Sequence, residues 1–394
     1  VSRILWLGNP PGVGSGYGEQ AALFVPRLAA LGHELAVACN YGLQGMCLEA
    51  GPVTYYPSDS DWGNKTIGTY AEHFRADHIV ALCDAWVMRP DDWPDDLRMA
   101  IWAPVDKYPL PPAVLRVLAH EKVTPIAMSR FGERMMSDAG LQPLYVPHGV
   151  DRNLFRPRPA DKQAIREELG VPADAFLVGM VAANTGNPAR PRKAFSQTFR
   201  AFSRFAKDHP DAWFYGHTQM KPGKAGGIDI AAAVLLAGCP TDRMRFSPEA
   251  IFQLGWPAEN VANLYQAFDV LVNASMGEGF GVPILEAQAC GVPVIASDHS
   301  AMTELTVAGW LVGGDPSDDH LEDATYITPS IGAIHAALDA AYEQRDNQQL
   351  KDTAVAFAAR YDADSVTQAY WAPALEALDA PREVKPLHEA RVLA

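Results

Sequence analysis

Short apolar runs recur along this chain, each followed by a stretch whose apolar positions return at helical spacing. In the first half, Ile4–Leu7, Leu35–Cys39, His78–Leu82, Met99–Trp102, Thr124–Met128 and Leu144–Val146 read as strands. Residues 18–31 read as an amphipathic helix closed by Gly32. This alternation predicts a parallel sheet with helices on both faces. A second series follows. It predicts strands at Leu177–Val181, Trp213–His217, Val270–Asn273 and Pro293–Ala296, with helices at Phe195–Lys207, Asp229–Leu236 and Pro283–Cys290. Residues 331–378 are alanine-rich and helical in pattern, and 379–394, with Pro381 and Pro386, read as a tail.

Between the two series lies "PHGVDRNLFRPRP", residues 147–159, whose proline and charge mark a crossing between domains. At 394 residues the chain exceeds one ordinary core, so two α/β domains facing each other across a cleft are expected. The expected division is a Rossmann-like domain over 1–152, a linker over 153–172, a second Rossmann-like domain over 173–360, and a helical segment and tail over 361–394. Ligands of open α/β sheets collect outside the carboxyl ends of the strands. The loops of interest are therefore 8–18, 103–108, 182–193, 217–227 and 274–281.

Composition adds exclusions. With 48% hydrophobic and 20% charged residues the chain resembles an ordinary soluble globular protein. A formal net charge of −15 argues against a nucleic-acid partner, and no basic amphipathic helix indicates membrane association. Five scattered cysteines without a C-x-x-C pair fit reduced thiols in a cytoplasmic protein better than disulfides or a zinc site. No apolar run reaches the roughly 18 residues of a spanning helix. The opening "VSRILWLG" reads as a strand entering a glycine loop rather than a signal peptide.

The most informative stretch is "MGEGFGVPILEAQACGVPVIAS", 276–297, where Glu278 sits on a glycine-flanked turn and Glu286 early in the following helix. Pro283 suits the first helical position, and Gly279, Phe280 and Gly281 would present backbone N–H groups at a positive helix end, a site for phosphate. Glu286 could accept from two adjacent sugar hydroxyls, and Glu278 could face another hydroxylated ring. Phosphate between two polyols outlines a nucleotide-sugar. The competing reading is a surface turn with a carboxylate stabilising a helix dipole.

The longer stretch "DVLVNASMGEGFGVPILEAQACGVPVIASDHSAMTEL", 269–305, resembles the signature of retaining glycosyltransferases of family 4, which have the GT-B fold. In that family two glutamates separated by seven residues frame the donor site, ahead of a "GxPVIAS" strand and a further Glu, here Glu304. "PHGVDRNLFRP" at 147–157 and "LYQAFDVLV" at 264–272 resemble the family's "NGVDxxxFxP" and "LYxxADVFV". The resemblance covers roughly 140–310 well and the N-terminal part weakly. It implies an acceptor-side first domain and a donor-binding second one.

Carried onto this chain, the resemblance gives Lys193, before "AFSQTFRAF", the family's phosphate-binding lysine position. The family's arginine lies five residues upstream of that lysine, where this chain has Pro188. The role therefore passes to Arg192, with Arg190 second, on the reading that cations there stabilise a departing diphosphate. Gly14 and Gly16, in "PPGVGSGYGE", superficially offer a dinucleotide fingerprint, but no acidic residue ends the next strand. The family's corresponding loop faces the donor phosphates, which is the preferred reading. Asp106 stands where many members carry a His near the reacting carbon, and turn formation is its alternative. His148 replaces the family's usual Asn and reads as structural. His217, at a strand tip, could approach the nucleobase or be a satisfied histidine.

Asp59-Ser60-Asp61 and Asp318-Asp319-His320 read as solvated turns, so no metal or other cofactor is expected. The resulting expectation is a GT-B enzyme transferring a sugar from a nucleoside-diphosphate sugar to an acceptor hydroxyl of a glycan or protein. A UDP-sugar is slightly favoured over a GDP-sugar. The alternatives are a GT-B nucleotide-sugar epimerase or hydrolase, and a nucleotide-sugar-binding protein without transfer.

Overall fold

Ile4, Leu5, Trp6 and Leu7 are fully buried, which requires cover on both faces of their strand, β1 (Arg3–Gly8). The computed structural model describes residues 1–379, except the side chains of Gln253 and Leu254, and places β1 inside an eight-stranded sheet. Its other strands are β2 (Glu34–Cys39), β3 (Leu48–Ala50), β4 (Val53–Tyr56), β5 (His78–Leu82), β6 (Met99–Ala103), β7 (Val123–Ala127) and β8 (Leu144–Tyr145). The order is β3-β4-β2-β1-β5-β6-β7-β8, with only the edge pair β3–β4 antiparallel. Every residue of β3 is exposed, so it leaves no burial pattern for the sequence to show.

This first unit comprises residues 1–149, the short segment 319–324 and, among the described residues, 363–379. The helix Gly16–Ala30 follows β1 and is capped by Ser15, whose Oγ accepts the Gly18 N–H at 3.0 Å. Residues 361–394, expected as an appended segment and tail, instead supply part of this core through Ala363–Asp379. Trp371 is fully buried, 5.6 Å from Trp6 and 4.9 Å from Trp102 between ring centroids. The tail expected beyond Asp379 lies outside the described residues.

The second unit spans 150–318 and 325–362. Its six strands are β9 (Phe176–Val181), β10 (Ala212–His217), β11 (Met244–Phe246), β12 (Val270–Asn273), β13 (Val294–Ser297) and β14 (Gly309–Val312). They are parallel throughout, in the order β11-β10-β9-β12-β13-β14. Phe195, Phe199, Phe202 and Phe205 line one face of the helix Phe195–Asp208 and are all buried, packing on Phe176 and Phe214 of the sheet.

Residues 153–172, expected as a linker, are built into this unit. They hold the helix Lys162–Glu168, whose buried Arg166 donates to the carbonyls of Ala267, Ala173 and Ala175 and pairs with Asp269 at 2.6 Å. Asp318 and Asp319 are not in a solvated turn either. They end β15 (Gly314–Asp319), which forms a hairpin with β16 (Ala324–Pro329). Within the first unit, buried Asp319 and Glu322 both pair with buried Lys107. No helix among the described residues is long and apolar enough to cross a membrane.

Candidate active site

The second sheet changes winding direction between β9 and β12: β10 and β11 lie on one side, β13 and β14 on the other. Loops leaving the carboxyl ends of the two central strands diverge there and leave room for a ligand. They are 182–193 and 274–281, which carry Arg192, Lys193 and Glu278. The first loop is stitched to the one after β10 by Asn184, whose side chain donates to the Gln219 and Ile228 carbonyls and accepts the Ile228 N–H. It then turns sharply into the helix Phe195–Asp208 through Ala194, at φ 49°.

The second loop is tied to the first by the Met276 N–H, which donates to the Arg192 carbonyl at 2.8 Å. That register brings three charged side chains together. Lys193 Nζ lies 2.5 Å from Glu278 Oε1, and an Arg192 guanidinium nitrogen 3.2 Å from Oε2 and 2.5 Å from the Gly277 carbonyl. The Glu278 N–H donates to Ser300 Oγ at 2.9 Å. Burial pushes the Glu278 carboxyl up, but the Lys193 and Arg192 charges outweigh burial and, with hydrogen bonds from Lys193 and Ser275, bring it down to about 2. At neutral pH it is an anion within a cluster of two cations, and it has no proton to give.

Glu278 is followed by Gly279, half-buried, and Phe280, buried with its ring edge-on to Tyr361. Gly281 then opens the helix Val282–Ala289 at φ 108°, a left-handed conformation that glycine adopts without strain. Pro283 occupies the second rather than the first helical position. Glu286 sits in this helix, buried, with Oε2 accepting the Tyr265 hydroxyl at 2.7 Å.

The remaining sequence candidates separate. Arg190 does not join Arg192: it donates to the Asp318 carbonyl at 2.7 Å. His217 ends β10, with Nδ1 2.8 Å from Ser247 Oγ and its ring stacked on Trp256 at 5.2 Å. Burial lowers its pKa to about 4, so it is neutral at pH 7. Gly14, Gly16 and Asp106 belong to the first unit. A Cβ on Gly14 or Gly16 would meet nothing within 4 Å, whereas one on Gly18 would sit 2.3 Å from the Val13 carbonyl oxygen. Gly18 is thus the glycine the turn itself demands. Asp106 is half-buried beside Lys107. His148 is buried edge-on against Trp102, and burial lowers its pKa to about 3, in keeping with a structural role.

Asp59 spends its oxygens on the Asp61 and Gly63 amides and the Thr66 hydroxyl, while Asp61 pairs with Arg89. Three participants carried no sequence signal of their own: Ser275, Ser300 and Trp256. Tyr265 lay inside the quoted "LYQAFDVLV" without a role.

A family model described as "Glycosyl transferases group 1" matches residues 182–325, which include both loops. The D-inositol 3-phosphate glycosyltransferase of Thermobispora bispora is 31% identical over 227 residues, covering 52% of this chain and 49% of that protein. The protein of the same name from Geodermatophilus obscurus is 32% identical over 251 residues, 62% of this chain and 50% of its own length. The chain thus spans about half the length of these curated relatives. Sucrose-phosphate synthase from Thermosynechococcus elongatus has a similar structure, with a TM-score of 0.75 over 96% of this chain and all of that one, at 16% identity. Anabaena HepE in complex with UDP-glucose gives 0.65 over 96% and 100%, at 19% identity. Motif, matched region and fold agree: residues 182–325 are similar to the glycosyl transferases group 1 family, and the chain has the GT-B fold.

Proposed function

We propose that the protein transfers a sugar from a nucleoside-diphosphate sugar to an acceptor hydroxyl with retention of anomeric configuration. The observation that carries this reading is the convergence of Lys193, Arg192 and Glu278 at the point where the second sheet changes direction. Two cations there suit a diphosphate, whose charge grows as the bond to the anomeric carbon breaks. The acceptor oxygen forms the new bond to that carbon while the diphosphate oxygen leaves and takes the acceptor's proton. Glu278, ionised at neutral pH, serves as an anion facing the transferred sugar, where positive charge develops. Glu286 accepts from the ribose hydroxyls, its orientation set by Tyr265.

With cations already supplied by side chains, transfer needs no metal. The curated relatives are named for a sugar transfer, and HepE is seen with UDP and UDP-glucose, which supports a UDP-sugar over a GDP-sugar. The acceptor is a glycan or protein hydroxyl, and the free cysteines suit a cytoplasmic setting. Within the first unit, the loop of Gly14 and Gly16 would bind phosphate, and Asp106 would orient the acceptor.

A thermal-shift panel of UDP-, GDP- and ADP-sugars, followed by donor turnover in excess EDTA, tests the reading. Stabilisation by a UDP-sugar and turnover that persists in chelator are expected. No stabilisation by any nucleotide-sugar would end the donor assignment. Activity lost in EDTA and restored by Mn²⁺ or Mg²⁺ would end the metal-free one. Turnover that never depends on an acceptor would favour a hydrolase or epimerase.

A further inference from the structure

Ser300 is one of few non-glycine residues among those described with a positive φ, at 54°, and it is 1% exposed. A serine held there is strained and persists only where its surroundings over-determine it. Were only the backbone turn needed, glycine would fit without strain. What glycine lacks is the Oγ, which accepts the Glu278 N–H at 2.9 Å. The other end of that same peptide group is also held, because the Gly277 carbonyl accepts from Arg192 at 2.5 Å. The Gly277–Glu278 peptide plane is thus fixed from both sides, by a cation on one edge and a hydroxyl on the other. Turning it would break both bonds and re-aim the carboxylate that Lys193 and Arg192 share.

We propose that Ser300 is a positioning residue for Glu278, trading backbone strain for a hydroxyl that locks the Gly277–Glu278 peptide plane. The proposal rests on the reading of Glu278 as the anion facing the transferred sugar. Ser300→Gly relieves the strain and removes the acceptor, whereas Ser300→Ala removes the acceptor and keeps the strain. Both should lower kcat for the nucleotide-sugar roughly tenfold to a hundredfold, with KM changed by no more than about threefold. Ser300→Gly should melt at a higher temperature than Ser300→Ala. A Ser300→Gly enzyme with wild-type kcat would overturn the proposal, because the turn alone would then suffice. If the wild-type protein turns over no nucleotide-sugar, the functional reading fails separately. The crystal structure of Ser300→Gly then decides: a turned Gly277–Glu278 peptide supports the lock, and an unmoved one with both cations still on Glu278 refutes it.

Discussion

Removing the Lys193 ammonium takes one of two positive charges from a buried carboxylate. Lys193→Ala should therefore lower turnover by roughly 10²–10³. It should also destabilise the fold, on the order of 3 kcal/mol, because Glu278 is left with one cation. Adding Glu278→Gln to that variant should restore most of the denaturation midpoint without restoring turnover. Alone, Glu278→Gln should tighten binding of free UDP, since Lys193 and Arg192 no longer share their charge with a carboxylate, while kcat falls. Calorimetry beside kinetics checks this, and weakened UDP binding would show that Glu278 does not compete for the cations. The sequence pointed to all three residues through motifs. It could not show their pairing, which spans 85 positions and depends on β9 lying beside β12. Nor does "RPRK" say which arginine meets Glu278: Arg190 and Arg192 are two apart, and only the fold gives one the Asp318 carbonyl and the other the Glu278 carboxylate.

At the scale of single elements, the helix Val282–Ala289 carries Glu286 to a fixed place beside Tyr265 of the helix Ala258–Ala267. On the proposed reading Glu286 holds the ribose, which is unchanged by reaction, so its loss would remove binding common to ground and transition states. Glu286→Gln should raise KM and weaken free UDP binding in parallel, with kcat nearly unchanged. Tyr265→Phe should give the same pattern at roughly threefold to tenfold, the worth of one hydrogen bond. A fall in kcat without a change in UDP affinity would move Glu286 from the ribose to the reacting sugar. Elements with continuous apolar runs, such as β1, β5 and β12, were legible because both their faces are buried. β3, exposed throughout, and β15, whose "GDPSDD" is almost all polar, were not. The helix Lys162–Glu168 was hidden for another reason: its main tie to the fold is Arg166, and a sequence pattern reads arginine as surface.

For the whole molecule, acid should act on both units in the same direction. His148, in the first, and His217, in the second, have folded pKa values near 3 and 4 against 6.5 for the unfolded chain. Below pH 6.5 the unfolded state binds protons that the folded state refuses, so stability falls by about 1.4 kcal/mol per pH unit for each histidine. For Glu278, lowered from 4.5 to about 2, stability is present above 4.5 and is lost as pH falls toward 2. Scanning calorimetry from pH 8 to 4 should show melting temperature level above about 7 and falling below 6.5, and His148→Gln should flatten the fall. The two-unit organisation was legible from two separate strand–helix series. The return of the chain to the first unit was not, because nothing in "ADSVTQAYWAPALEALD" says which sheet its helices cover. Trp371→Ala should destabilise that unit by about 3–5 kcal/mol, read from the denaturation midpoint. The placement of Trp371 also bears on how the protein is made. A ribosome releases Trp6, Trp102 and Phe24, whose ring also lies 5.8 Å from that of Trp371, long before this last partner exists. At roughly 5–20 residues per second, synthesis of 150–371 leaves that hydrophobic gap open for roughly 10–40 s, long enough for a nascent-chain chaperone to find it.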